Sequence, residues 1–273
     1  MKLILVDCGY LLFYRYHATK IWYRKAHDYH DDLQMALDPL FQKMYQKKII
    51  DCLDKYIKLF QTCWDYVIFC RDTKRSHLWR NNILPEYKQQ RDHTKLTGLK
   101  TCANLLKLVI MQLIREKNAK SIGVYGVEAD DIVYQAIQYF NHTNNQFMII
   151  ASDHDYYQVC YQNVILQRLD NKPSLNKSVR HRQPHLTNYP KIDLLIKILM
   201  GDKSDNIPSV FPKCGMKTAE KLALDKNLLQ TRFIKYPDSI TLFNRNKMII
   251  CLNQLPINLK SNITNRLKTL KLV

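Results

Sequence analysis

Gly126-Val127-Glu128-Ala129-Asp130-Asp131-Ile132 places three carboxylates within four residues, where the short apolar run Ser121 to Tyr125 gives way to a helical pattern. Glu128 and Asp131 are three apart, so on a helix they share a face. Acidic side chains suit the first turn of a helix, where the dipole and the unpaired N–H groups favour negative charge. Taken alone, the stretch reads equally well as a cap for the amphipathic run Ile132, Val133, Ala136, Ile137 or as a cluster of ligands. What the rest of the chain sends to meet it decides between the two.

Upstream, residues 2–7 read as a buried strand ending in Asp7, and Tyr66-Val67-Ile68-Phe69 as a second strand leading into Arg71-Asp72. Downstream of a helix over 128–140, the strand Gln146 to Ala151 ends in Ser152-Asp153-His154-Asp155, and residues 163–169 form one more. Helices are expected over 10–25, over 33–62 with an interruption near Asp38-Pro39, and over 99–117. Strands alternating with helices indicate an α/β fold with a largely parallel sheet. From about residue 190 the pattern becomes all helix (191–200, 215–225, 239–253, 257–270), with Gly201-Asp202-Lys203-Ser204-Asp205-Asn206-Ile207-Pro208 between the first two. The loop 170–190 is the expected boundary between a core of residues 1–189 and a helical region of 190–273.

Composition narrows the class. The chain has 273 residues, 46% of them hydrophobic, enough for a sizeable core. It has no run of eighteen apolar residues and no secretory leader after Met1. The eight cysteines contain no Cys-x-x-Cys pair and mostly lie in apolar runs. They read as reduced, buried thiols in an intracellular protein and not as a zinc site. Lys and Arg number 42 against 24 Asp and Glu, a formal charge of +18. A surface this basic points to a polyanion, with nucleic acid favoured over membrane because no amphipathic Lys-rich helix stands out.

Against that positive background the chain gathers carboxylates. Asp7, Asp72, Glu128, Asp130, Asp131, Asp153 and Asp155 all fall at or just beyond the carboxyl end of an expected strand, and in a parallel sheet those ends share one edge. A single Asp at a strand end is usually a turn or cap residue. So many at one edge need protons or cations, because mutually repelling carboxylates cannot all ionise in one pocket. Hard oxygen donors suit Mg²⁺ or Mn²⁺, and a metal pair ~3.5–4 Å apart is the recurrent device for phosphodiester hydrolysis. His154, between two candidate ligands, reads as incidental.

The strand Leu3 to Asp7, the Gly126–Asp131 stretch, Ser152–Asp155 and Gly201–Pro208 together resemble the structure-specific 5′-nucleases. That family takes in flap endonucleases, phage 5′-to-3′ exonucleases and the 5′-nuclease domain of bacterial DNA polymerase I. The order and spacing match over approximately residues 2–255. The resemblance implies a PIN-like core sheet flanked by helices, a helical arch at 73–98, and a helix-hairpin-helix-like DNA-binding element at 206–221. It implies two Mg²⁺ ions, with Mn²⁺ able to substitute. Asp7, Asp72, Glu128 and Asp130 match the ligands of the first. Asp131 belongs to the same cluster, as ligand or as water-mediated partner. Asp153, Asp155, Asp202 and Asp205 match the ligands of the second.

By the same resemblance Lys88 and Arg91, three apart in Leu84-Pro85-Glu86-Tyr87-Lys88-Gln89-Gln90-Arg91, would share a helix face and act on the scissile phosphate. Phe13 falls where the family stacks an aromatic on a base, and Arg80 is a further candidate for DNA contact. Lys213, Gly215, Lys217 and Thr218 fall in the element expected to grip duplex phosphates and a monovalent cation. The family's Gly-hydrophobic-Gly turn is replaced by Pro212-Lys213-Cys214-Gly215, one residue longer and lacking a glycine. Residues 27–46 are longer than the family connection, and no sliding-clamp motif or polymerase domain is visible. The expected protein is a monomeric, Mg²⁺-dependent 5′ nuclease of replication or repair acting on flapped, branched or nicked DNA. Its competitors are a PIN-type ribonuclease, which typically lacks the arch and the 206–221 element, and a silent DNA-binding scaffold, which would be expected to have lost ligands.

Overall fold

The computed structural model describes residues 1–27, 31–90, 97–141, 144–160, 163–170, 187 and 189–272. Five strands, β1 (Lys2–Asp7), β2 (Val67–Arg71), β3 (Lys120–Gly123), β4 (Gln146–Ile150) and β5 (Val164–Gln167), form one parallel sheet in the order β3-β2-β1-β4-β5. Leu3, Ile4, Leu5 and Val6 of the central strand are all inaccessible to solvent. That is the signature of a strand covered on both faces. Alternation divides them: Leu3 and Leu5 join Ile68, Cys70, Phe147 and Ile149 in one core, while Ile4 and Val6 join Val67, Phe69, Met148 and Ile150 in the other.

Helices α1 (Cys8–Ala26), α2 (Asp32–Leu37), α3 (Pro39–Phe60) and α4 (Thr97–Lys117) cover the second core. Helix α5 (Ala129–Phe140) covers the first, backed by α10 (Ile257–Lys268). By length and composition alone α4 could cross a membrane. Its apolar stripe Cys102, Leu105, Leu106, Val109, Ile110 and Leu113 is buried in the second core. The expected interruption at Asp38-Pro39 is real: Asp38 closes α2, and its side chain accepts from the Leu40 N–H at 2.7 Å to open α3 with Pro39 in its first turn.

Residues 32–37 have a structural task the sequence did not disclose. They wedge α2 between α1 and α4, with Asp32 bound to Lys20 at 2.6 Å and Arg24 at 2.9 Å. Gly98 makes the close approach possible, since a Cβ there would lie 2.5 Å from the Asp32 carbonyl oxygen and 2.9 Å from the Tyr16 hydroxyl.

Helices α6 (Pro190–Met200), α7 (Met216–Leu224), α8 (Lys226–Lys235) and α9 (Ser239–Ile250) follow. α8 was not expected. It is capped by Asp225, which accepts from Leu228 N–H at 3.0 Å, but it buries no residue fully, with only Leu229 and Phe233 partly covered against a core. The stretch 75–90 is built of two short 3₁₀ turns (Arg75–His77 and Trp79–Asn82) followed by further turns, not of an arch helix, and Lys88 takes a left-handed conformation at φ 57°. Lys88 therefore does not lie on a helix face. Arg91, the rest of the arch to residue 96 and most of the 170–190 loop lie outside the described residues.

The packing at Gly98 predicts that Gly98→Ala destabilises the protein by about 1–3 kcal/mol, the usual cost of forcing a methyl into a filled contact. Urea denaturation of the two proteins measures it, and an unchanged midpoint would show that α2 is free to move away.

Candidate active site

The sheet reverses its direction of build between β1 and β4, and the crevice beyond the carboxyl ends of the strands at such a point is where open α/β sheets place ligands. Asp7 ends β1 and caps α1, accepting from the Tyr10 N–H at 2.9 Å through Oδ1 and from the Tyr156 hydroxyl at 2.7 Å through Oδ2. Asp72, one residue past β2, accepts from the Ala129 N–H at 2.8 Å. Gly9 lies between them: a Cβ there would come within 3.0 Å of Asp72 Oδ2 and 3.4 Å of Asp7 Oδ1. The crowding is therefore of oxygens from two strands around a residue without a side chain.

Glu128 precedes α5 and is buried, with three partners. Its Oε2 accepts from Arg80 Nη1 at 2.8 Å and the Tyr87 hydroxyl at 2.9 Å, and its Oε1 accepts from Lys88 Nζ. Asp130, partly open, accepts the Asp131 N–H at 2.7 Å. Asp131 is wholly buried. Both its oxygens are held by the Arg80 guanidinium at 2.8 Å, and Oδ2 also accepts from Trp79 Nε1 at 3.1 Å and the Glu128 N–H at 3.2 Å. A cation could reach the Asp131 oxygens only by displacing Arg80. The cap reading of this stretch is realised in Glu128 and Asp131, which bracket the first turn of α5.

The second group lies past β4 and α6. Asp153 Oδ1 accepts the Asp155 N–H at 2.9 Å, and Asp155 accepts from Lys197 Nζ. The same ammonium is 3.3 Å from Asp202 Oδ2, and Asp202 Oδ1 takes the Ser204 N–H and hydroxyl at 2.9 and 2.7 Å. Asp205 is buried, with Tyr87 Oη at 3.3 Å and Lys88 Nζ at 3.7 Å from its Oδ2. Lys88 thus spans Glu128 and Asp205, and Lys197 spans Asp155 and Asp202. His154 stacks on Tyr157.

Electrostatics follow from this crowding. Burial, aided by the neighbouring Asp72 charge, pushes the Asp7 carboxyl up to about 7. Burial pushes Asp155 up to about 6 against the pull of Lys197. Asp72 faces solvent, yet the surrounding protein and then Glu128 raise it too, and burial raises Asp130 well above the usual range. Glu128 and Asp202 go the other way. Burial alone would raise both, but Arg80 and Lys88 hold Glu128 below its ordinary value and Lys197 does so for Asp202. Among the described residues no three carboxylates are closed up into a ligand set, the two lysines standing between them. The donors are nevertheless hard oxygens from separate elements converging on one crevice, and the raised values of Asp7, Asp72, Asp130 and Asp155 mark a demand for positive charge. They fit a divalent cation.

Arg80 corrects the sequence reading. Expected to contact DNA, it is only 2% exposed and folded inward against three acceptors. Lys197 was missed. Its only sequence signal is a lone cation in the apolar helix Leu194-Leu195-Ile196-Lys197-Ile198-Leu199, five residues before Asp202. Phe13 is half exposed and lies beside His17, ring centroids 4.3 Å apart. Lys213, Gly215 and Lys217 are exposed and Thr218 half-buried around the start of α7, where Gly215 is the N-cap. A cavity of about 1140 Å³ runs from Asp153 and Asp155 past Lys197 and Asp202 to Lys213 and Gly215.

A model of the 5′-3′ exonuclease N-terminal resolvase-like domain matches residues 2–183. The chain belongs to this family. A 5′-3′ exonuclease of Buchnera aphidicola from Schizaphis graminum is 32% identical over 158 residues, which cover 56% of this chain and 50% of that one. The chain thus spans about half the length of that relative, and 56% of the corresponding protein from the Acyrthosiphon pisum strain. A phage T4 protein named ribonuclease H is 25% identical over 223 residues, covering 76% of this chain and 70% of its own. Among solved structures, zinc-bound phage T5 5′-exonuclease superposes with a TM-score of 0.73 at 17% identity, covering 99% of both chains. A phage T5 flap endonuclease crystallised with DNA and metal ions gives the same score, identity and coverage. These exonuclease structures share the fold of the parallel sheet and its flanking helices.

The raised carboxyls set a pH dependence. Folding favours protonated Asp7 and Asp155, so their contribution to stability is complete below about pH 4 and is lost as pH rises through about 6 and then about 7. Glu128 and Asp202, held low, lose theirs only at still more acid pH. In EDTA the melting temperature is expected to fall from pH 5 to pH 8. Asp7→Asn should flatten that slope and melt higher than wild type at pH 8. Calorimetry of both proteins decides it, and a slope that is flat in wild type and unchanged in the variant would contradict the burial argument.

Proposed function

We propose that the protein is a Mg²⁺-dependent 5′ nuclease that hydrolyses phosphodiester bonds in flapped, branched or nicked DNA. The observation carrying this reading is the convergence of acids from β1, β2, α5, the turn after β4 and the 202–205 turn on one crevice, with two lysines between them. Asp7, Asp72, Glu128 and Asp130 would hold one ion, and Asp153, Asp155, Asp202 and Asp205 a second. Bound there, the ions supply an acidified water and neutralise the charge that develops on the phosphate.

The chain's own groups do the rest. Lys88 offers an ammonium beside both acid groups, placed to turn to a phosphate oxygen once Glu128 has another cation to face. Phe13 presents a half-exposed ring on α1, a platform for a base of any identity. Gly215 and the free N–H groups of α7, with Lys213, Lys217 and Thr218, would seat a duplex phosphate at the far end of the cavity. In this division residues 1–189 carry most of the acids, while 190–273 add Asp202 and Asp205 and supply the duplex grip. Contacts of this kind read charge and shape, so binding would be salt-sensitive and nearly independent of sequence. The T4 relative's name, ribonuclease H, adds RNA as a competing substrate.

Incubation of a 5′-labelled flap, a nicked duplex, an RNA–DNA hybrid and single-stranded RNA with Mg²⁺ or EDTA tests the reading. Cleavage of flap or nicked DNA in Mg²⁺ alone is expected, and Asp153→Asn should abolish it. Lys88→Met should lower kcat by roughly 10²–10³-fold, the scale seen when a fixed electrostatic partner of the transition state is removed. Absence of cleavage on every DNA substrate would sink the proposal, and cleavage confined to the hybrid would move it to the ribonuclease reading.

A further inference from the structure

Arg80 is the most demanding group in the molecule that the proposed chemistry does not use. It is among the largest fully buried side chains, and all three of its nitrogens are engaged. Nη1 and Nη2 fork onto Asp131, Nη1 also reaches Glu128 Oε2, and Nε donates to the Ile249 carbonyl at 3.0 Å. Its guanidinium lies 4.8 Å from the Trp79 ring, and Trp79 is itself tied to the stretch before α5 through the Gly126 carbonyl at 2.9 Å.

The Ile249 contact has a separate physical origin. The last carbonyls of a helix have no partner within it. At the end of α9 these groups are taken up by the core: Ile249 by Arg80 and Ile250 by Gln158, whose side-chain oxygen in turn accepts from the Leu252 N–H at 3.1 Å. Arg80 is therefore shared between the acid cluster and the end of a C-terminal helix. The carboxylate of Glu128 is gripped through Oε2, with Oε1 turned to Lys88 and the crevice.

We propose that Arg80 is a positioning residue that sets the Glu128 carboxylate for a cation and makes that setting depend on the seating of α9. This rests on reading the carboxylates as cation ligands. A lysine in its place keeps the charge but not the planar fork, so it cannot hold Asp131, Glu128 and the Ile249 carbonyl together.

The test measures Mn²⁺ binding to the full chain by calorimetry, without DNA, beside hydrogen exchange over the end of α9. Arg80→Lys is expected to weaken Mn²⁺ binding roughly tenfold or more, the usual effect of removing a partner that orients a metal ligand. It should also speed exchange of the 249–252 amides. Asp131→Asn should weaken binding likewise, and the double variant should be little worse than either, because the residues act as one unit. Ile137→Val, a core change on the same helix, supplies the comparison: it should lower the melting temperature and leave Mn²⁺ binding and α9 exchange as they were. Wild-type affinity and α9 exchange in folded Arg80→Lys would overturn the proposal, as would an equal loss in Ile137→Val. Should Arg80→Lys not fold, Asp131→Asn decides by the same criteria. If wild-type protein shows no Mn²⁺ binding that Asp7→Asn removes, it is the cation reading of the cluster that has failed.

Discussion

Repulsion between carboxylates brought to one sheet edge is the constraint on which the rest of this molecule depends. Parallel strands deliver their following residues to a common crevice, and here those residues are acids. Water cannot solvate them all, so the fold answers with fixed donors: the Tyr156 hydroxyl on Asp7, the Ala129 N–H on Asp72, Arg80 on Asp131 and Glu128, and Lys197 between Asp155 and Asp202. The answer is uneven. Glu128 and Asp202 are driven low by their resident cations, whereas Asp7 and Asp130 are driven high, as is Asp155, where burial outweighs Lys197. An uneven site of this kind keeps part of its demand for positive charge unmet, and it binds an external cation more readily than one whose charges are all internally paired.

That constraint also explains why the N-terminal core and the C-terminal helices cannot be treated as separate pieces. The segment 78–90 contributes Leu78, Leu84 and Tyr87 to a small core with Ile198, Ile207 and Ile249, and sends Arg80 and Lys88 into the acid cluster. Hydrogen bonds run alongside: the Lys88 N–H to the Asp205 carbonyl at 3.0 Å and the Asn206 side-chain Nδ2 to the Glu86 carbonyl at 3.0 Å. Apolar burial provides the adhesion, and the ionic contacts fix the placement, since a fork with several acceptors tolerates little displacement.

The strands and the acids at their ends were legible in the sequence because both signals are local. Leu3 to Val6 followed by Asp7 needs only its own neighbours to be read, and the alternation that divides Leu3 and Leu5 from Ile4 and Val6 follows from the strand period. Arg80 was not legible in the same way. An arginine in a basic, polar stretch is usually solvated, and nothing nearby reveals that its partners stand 48, 51 and 169 positions away. Lys197 is the same problem in a helix whose apolar neighbours point to core. Helix α8 escaped because it contributes no fully buried side chain, and the turns of 75–90 because tertiary bonds, not propensity, hold them.

The altered turn before α7 shows how a local rule can be broken when its surroundings over-determine the backbone. Lys213 adopts φ 53°, a left-handed conformation that costs a side-chain-bearing residue about 1–2 kcal/mol and that glycine adopts freely. The residues around it leave no alternative. Phe211 and Cys214 are both plugged into the core formed with α6 and α7, and Arg232 of α8 reaches the Pro212 carbonyl at 3.4 Å while lying over the Phe211 and Tyr236 rings. Two buried anchors, with the corner residue between them, force the turn outward at Lys213. A glycine there would relieve the backbone and present N–H groups alone. Lysine accepts the strain and places an ammonium on the wall of the cavity whose other end is lined by Asp153, Asp155 and Asp202. The cavity therefore carries its carboxylates, bridged by Lys197, at one end and the Lys213 ammonium on the wall of the other.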